Sequence, residues 1–146
     1  MSHDEAEGAQ LQQRLVGFVR AFGLHRPDET PCGAPVPVSE AHALSVLAEL
    51  GPLSQTDLVH HLDLGKSTVS RLVDHVVARG WAQRTASAED ARRKLVGLTP
   101  TGRDAASSIA RTRADRIGRL LDRIPPHERP AVLAALETLT EAARER

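Results

Sequence analysis

The sequence predicts a mainly α-helical chain with one small β-hairpin, an α+β arrangement spread over 146 residues. Three observations predict it. Six segments carry apolar residues at helical spacing. The period shortens toward two only once, between Trp81 and Leu98. Two of the helices are separated by no more than a short turn at Leu64-Gly65.

Leu11, Leu15, Phe18, Val19 and Phe22 place a first amphipathic helix over roughly residues 8–25. Pro27, Pro31, Pro35 and Pro37 then forbid helix and predict an extended connection. Ser39 and Glu40 read as an N-cap and acidic first turn of a second helix. It carries Leu44, Leu47 and Leu50 and stops at Gly51-Pro52. Ser54 opens a third helix, with Asp57 three residues on as a capping-box variant and Leu58, Val59 and Leu62 as its apolar face. A fourth begins near Ser67 or Thr68, turns Val69, Leu72, Val73, Val76 and Val77 inward, and ends at Arg79-Gly80. Trp81–Thr85 and Leu95–Leu98 read as strands flanking a polar loop, Ala86–Lys94, with Trp81 as a core anchor at the start of the first strand. Beyond Thr99-Pro100-Thr101-Gly102 a long helix carries Ala106, Ile109, Ala110, Ile117, Leu120, Leu121 and Ile124. Pro125-Pro126 breaks it, and Val132, Leu136, Leu139 and Ala143 define a last helix. The terminal helices fall outside the compact centre, so their apolar stripes need a partner, each other or a second chain.

Composition narrows the function. Hydrophobic residues at 40% and charged residues at 26% exclude wholesale disorder. No apolar run approaches the ~20 residues of a membrane span, and the acidic N-terminus lacks signal-peptide blocks. One cysteine makes no intramolecular disulfide, so the expected location is cytoplasmic. Arginine outnumbers lysine 17 to 2, which suggests a bacterial source with a GC-rich genome. One Trp, two Phe and no Tyr leave little to stack single-stranded bases, which favours duplex over RNA. There is no Gly-rich phosphate loop, nucleophile elbow or paired carboxylate site, so no enzyme and no cofactor are expected.

The net charge of zero hides a segregation. Residues 1–64 hold three basic and nine acidic residues (−6), residues 65–103 eight and three (+5), and residues 104–146 eight and seven (+1). The cationic middle coincides with the third-to-fourth helix turn and the hairpin, and points to a polyanion.

A helix, a short turn and a helix fit the helix-turn-helix plan, whose second helix enters the major groove. With 69, 72, 73, 76 and 77 inward, Lys66, Ser67, Thr68, Ser70, Arg71, Asp74 and His75 remain outside, a set suited to base edges and phosphates. Arg92, Arg93 and Lys94 at the hairpin tip make a cationic wing for the backbone or a minor groove.

On these residues the sequence resembles the MarR family of winged helix-turn-helix regulators. The matching stretches are Leu-Ser-Gln-Thr-Asp-Leu (53–58), Leu-Gly-Lys-Ser-Thr-Val-Ser-Arg-Leu-Val (64–73), Arg-Gly-Trp (79–81), Asp90-Ala-Arg92, and Val96-Gly-Leu98-Thr99-Pro-Thr-Gly102. The resemblance runs from about Val38 to about Ala106. It implies three parts: an N-terminal dimerisation helix and Pro-rich connection (1–38), a winged helix-turn-helix (39–102) and C-terminal dimerisation helices (103–146). It implies a homodimer on a pseudo-palindromic duplex, most often a repressor, released by a small-molecule effector or oxidant. Ser67, Thr68, Ser70 and Arg71 become contacts to bases or phosphates, Arg92 the main wing contact, and Asp90 its orienting partner. A winged-helix module that docks proteins without binding DNA is the alternative, and the cationic 65–103 stretch is what it would not need.

Sensing chemistry is the remaining question. His60 and His61 are adjacent on a helix and diverge. His25, Cys32, Glu40 and His42 lie around the Pro-rich connection and are the candidate metal ligands. The histidine pair that zinc-sensing relatives carry on the long helix is replaced here by Ser108 and Thr112. Cys32 is also a candidate peroxide-sensing thiol, without the tyrosines that support such a cysteine in its relatives.

Overall fold

The computed structural model describes residues 2–144. It forms two compact units, one reaching to Thr112 and one starting at Arg113, and the division falls inside a helix. The elements are α1 (His3–Phe22), α2 (Val38–Leu50), α3 (Gln55–Leu62), α4 (Lys66–Ala78), β1 (Ala82–Ala86), β2 (Lys94–Leu98), α5 (Pro100–Asp122), one 3-10 turn (Pro126–Glu128) and α6 (Arg129–Arg144).

In the first unit, α2, α3, α4 and the hairpin enclose a core of Ala43, Leu47, Leu58, Leu62, Val69, Leu72, Val73, Val76, Ala82 and Val96. The α4 positions are those its period predicts, except that Val77, like Val59 on α3, is only partly buried. A second cluster joins Val36 of the Pro-rich connection to Ala41 and Leu44 of α2 and to Ala106 and Ile109 of α5. The strands pair antiparallel, Ala82 opposite Leu98 and Ala86 opposite Lys94. Leu53 adds a single bridge to the outer side of β2, its N–H donating to the Val96 carbonyl (3.0 Å) and its carbonyl accepting from the Val96 N–H (2.7 Å).

Several boundaries differ from expectation, each for a local reason. α1 starts at His3 rather than near residue 8, because Ser2 and Glu5 form a full capping box, and it ends at Phe22 because Gly23 takes φ 93°. Ser39 is not the cap of α2. The Pro37 carbonyl already accepts the Ala41 N–H (3.1 Å), so the helix begins one residue earlier, without a side-chain cap. Leu50, expected inward, is 48% exposed at the helix end. The third helix follows its signature: Ser54 accepts from the Asp57 N–H and Asp57 from the Ser54 N–H. α4 begins at Lys66 with Gly65 as N-cap, earlier than Ser67 or Thr68. Trp81 precedes β1 rather than opening it. Its N–H donates to the Val76 carbonyl and its carbonyl accepts from the Thr99 N–H, so the residue closes α4 and receives the start of α5. It packs, partly buried, against the second cluster.

α1 and α6 have no buried residue. In the first unit Leu11, Leu15, Val16 and Phe18 are exposed, and in the second Ile117, Leu121, Val132, Leu133 and Leu136. No described helix is long and apolar enough to cross a membrane.

Candidate nucleic-acid interface

The solvent side of α4 follows from its inner side. With Val69, Leu72, Val73 and Val76 buried, Lys66, Ser67, Arg71, Asp74 and His75 are exposed and Thr68 and Ser70 half-buried. Ser67, Arg71 and His75 recur every fourth residue and form one polar stripe from the helix start. Lys66 and Arg71 have no acidic partner among the described residues.

The wing is fixed at both ends. At its tip the Asp90 carboxylate accepts the backbone N–H of Arg92 (2.9 Å) and the Asp90 carbonyl accepts that of Arg93 (3.0 Å). Asp90 thus orients the turn that carries Arg92 through the main chain, instead of by a carboxylate–guanidinium pair. The Arg92 side chain is left in solvent. Arg93 behaves differently: its guanidinium bonds Asp57 of α3 at 3.0 Å. The Ser54 hydroxyl first, with the Ser54 N–H and the Arg93 guanidinium, holds the Asp57 carboxyl below the usual carboxylate range, against the opposing effect of burial, the second largest. Arg84 of β1 bonds Asp74 of α4 at 2.5 Å, tying wing to recognition helix. At its root the wing meets α5. The Thr99 hydroxyl donates to the Gly80 carbonyl (2.6 Å) and accepts the Gly102 N–H (3.0 Å). Gly102 lies against Trp81 so closely that a Cβ there would fall 1.8 Å from the Trp81 carbonyl oxygen.

A buried ion pair lies at the far end of α4. Glu40, 3% exposed, faces the Arg79 Nε at 3.4 Å, and its Oε1 has no hydrogen bond. Arg79 stacks over Trp81 at 5.0 Å. Both line a cavity of about 390 Å3 with Gly33, Ala34, Pro35, Val36, Ala105, Ser108, Ile109 and Thr112. Glu40 is therefore not the solvent-facing acid that a helix first turn suggests.

The four candidate metal ligands are not brought together. His25 and His42 are exposed, Glu40 is committed to Arg79, and the Cys32 sulfur lies 2.7 Å from the Thr30 hydroxyl. Among the described residues no group of three or more His, Cys, Asp or Glu side chains is placed to hold a metal. Sequence reasoning did not single out Arg84, the pairing of Arg79 with Glu40, or the bridging role of Asp57 and Asp74. For Arg84 a signal existed, the period of two that carries it onto the same face of the hairpin as Ala82.

Comparison with known proteins agrees with this geometry. The family model described as MarR family matches residues 34–93, which hold α2, α3, α4 and β1. The uncharacterized HTH-type transcriptional regulator YwhA of Bacillus subtilis is 22% identical over 141 residues, 97% of this chain and 100% of its own. Among solved structures, a probable transcriptional regulator from Pseudomonas aeruginosa superposes with TM-score 0.71 at 26% identity, over 94% of this chain and 99% of that one. Bordetella bronchiseptica BpsR, whose DNA binding is regulated by 6-hydroxynicotinic acid, superposes with TM-score 0.72 at 22% identity over 96% of each chain. The relatives are transcriptional regulators, not enzymes. Over residues 34–93 the chain is thus similar to the MarR family, and its fold is that of winged-helix transcriptional regulators.

Proposed function

We propose that the protein is a cytoplasmic homodimer that binds a pseudo-palindromic duplex operator and represses transcription until a small-molecule effector binds. The observation that carries this reading is the union on one unit of cations without an acidic partner among the described residues, Lys66 and Arg71 on α4 and Arg92 at the wing tip. A module that only docked proteins would have no use for them. Lys66, Ser67, Thr68, Ser70, Arg71 and His75 are then the major-groove set, and Arg92, Arg93 and Lys94 the wing set, with one Nη of Arg93 tied to Asp57. The exposed apolar residues of α1 and of α6 support dimerisation, since each helix lacks any buried residue of its own.

The cavity beside Arg79 supports an effector. One guanidinium, one indole, the Ser108 and Thr112 hydroxyls and apolar walls suit a flat organic anion, the class to which the BpsR ligand belongs. The test is a titration of the protein against its own upstream DNA at two salt concentrations, with Arg92→Ala in parallel. Tight binding with a steep salt dependence is expected, and Arg92→Ala should weaken it about tenfold while sedimentation still shows a dimer. Salt-insensitive or absent binding by the unaltered protein would sink the reading.

A further inference from the structure

Arg84, Lys94 and Arg93 stand together in a place that the recognition helix and wing tip do not explain. The hairpin register puts 82, 84 and 86 on the same face as 94, 96 and 98. Ala82 and Val96 of that face are buried in the core, so the face is the inner one. At its outer end, apolar residues give way to cations at 84 and 94. Both are solvent-exposed. With Arg93 they line a cleft of about 410 Å3, whose opposite wall is Ser54, Gln55 and Thr56 of the α3 start and whose floor includes Val96.

The cations are held in place rather than neutralised. Asp74 takes one Nη of Arg84 and Asp57 one Nη of Arg93, while Lys94 has no acidic partner among the described residues. Three positive against two negative charges leave one uncompensated positive charge, and each guanidinium keeps further N–H donors for the cleft. Short hydroxyl and amide side chains on the facing wall add donors of the kind that contact phosphates. No aromatic or flat apolar surface lines the cleft, so it offers nothing to a base or a ring. Asp74 lies on the exposed side of α4, so its bond to Arg84 ties the cleft to that helix.

We infer that this cleft seats one backbone phosphate of the bound duplex, with Arg84 as its central donor and Asp74 and Asp57 as positioning residues. The inference rests on the DNA-binding reading above and adds to it a residue and a contact class. It predicts a contact that carries no sequence information, because a phosphate is the same at every step of the duplex.

The experiment measures anisotropy of labelled operator and unrelated duplexes with the full-length protein across a salt series. Arg84→Ala should weaken both duplexes by about the same factor, roughly tenfold at low salt, and reduce the slope of log affinity against log salt by about one. Arg84→Lys, which keeps the charge, should restore most of the slope. Asp74→Ala frees Arg84 but keeps its charge, so its salt slope should be unchanged while its affinity falls by less than that of Arg84→Ala. An unchanged slope for Arg84→Ala, or equal losses from Arg84→Ala and Asp74→Ala, overturns the inference, the second by showing that Arg84 acts only through α4. Replacing chloride with inorganic phosphate at constant ionic strength should not displace the duplex. Displacement that disappears in Arg84→Ala would make the cleft a free-phosphate site instead. If the unaltered protein binds neither duplex, the DNA-binding reading itself fails, an outcome distinct from a failure at Arg84 alone.

Discussion

Replacing Gly102 with alanine tests how the wing is seated. In most helices the change stabilises by up to ~1 kcal/mol, because alanine loses less backbone freedom on folding. Gly102 lies in the first turn of α5, yet the sign should reverse there. The new Cβ would sit 1.8 Å from the Trp81 carbonyl oxygen and 2.7 Å from its carbonyl carbon, both backbone atoms. To reach even 3.0 Å from the oxygen, the start of α5 and the Trp81 peptide must part by 1.2 Å, the difference between 3.0 and 1.8.

Three hydrogen bonds cross or brace that junction: Thr99 N–H to the Trp81 carbonyl (3.0 Å), Thr99 hydroxyl to the Gly80 carbonyl (2.6 Å) and Gly102 N–H to the Thr99 hydroxyl (3.0 Å). At ~1 kcal/mol net for each, their loss costs ~3 kcal/mol, and the helix gain offsets about one. The expected destabilisation is ~2 kcal/mol, or about 6 °C in melting temperature for a chain of this size. Gly8, with nothing within 4 Å of its Cβ position, is the internal control, and Gly8→Ala should melt at or above the unaltered protein. Thermal and urea unfolding followed by the single tryptophan, at fixed protein concentration, reads both. A Gly102→Ala protein as stable as Gly8→Ala would refute the argument, since it would mean the Trp81–α5 approach is not obligatory.

Two further outcomes follow from buried or capped charges. Arg79→Ala leaves the Glu40 carboxylate buried without its counter-charge and should cost ~2 kcal/mol, below the fully buried value because Arg79 is itself 39% exposed; Glu40→Gln, which removes the charge instead, should cost less, and a reversed order in urea unfolding would count against the pairing. Asp57, held below the usual carboxylate range, stabilises the fold above its unfolded pKa, and that contribution is lost as pH falls through the lower folded value. Melting temperature against pH should therefore show an acid limb below the ordinary carboxylate range that Asp57→Asn flattens; an unaltered limb would show that the Ser54–Asp57 box does not set it.

What the sequence made legible was local. The buried set Val69, Leu72, Val73 and Val76 follows from a period of 3.6, and the Ser54–Asp57 box from a spacing of three. The same spacing at Ser2 and Glu5 marks the true start of α1, but apolar periodicity begins only at Leu11 and pulls the expected boundary inward. Side-chain pairings across long separations were not legible. Glu40 meets Arg79 and Asp57 meets Arg93 across 39 and 36 positions, separations that no helical or strand period encodes.

Those two pairs also change the meaning of the charge segregation. Their acids belong to the stretch with −6 and their arginines to the stretch with +5. Folding therefore cancels part of the contrast: Arg79 and Arg93 are each given a carboxylate from the acidic stretch, while Arg84 takes Asp74 from its own stretch and Arg103 donates to the Leu98 carbonyl. Of the eight basic residues in 65–103, Lys66, Arg71, Arg92 and Lys94 are left without such a partner among the described residues, and they lie on α4 and the wing. The positive field is thus narrower than the sequence arithmetic implies, and confined to the side that would face DNA. Charges held by Asp57 and Asp74 stay ordered before binding, so the entropy of placing them is already spent when a phosphate arrives.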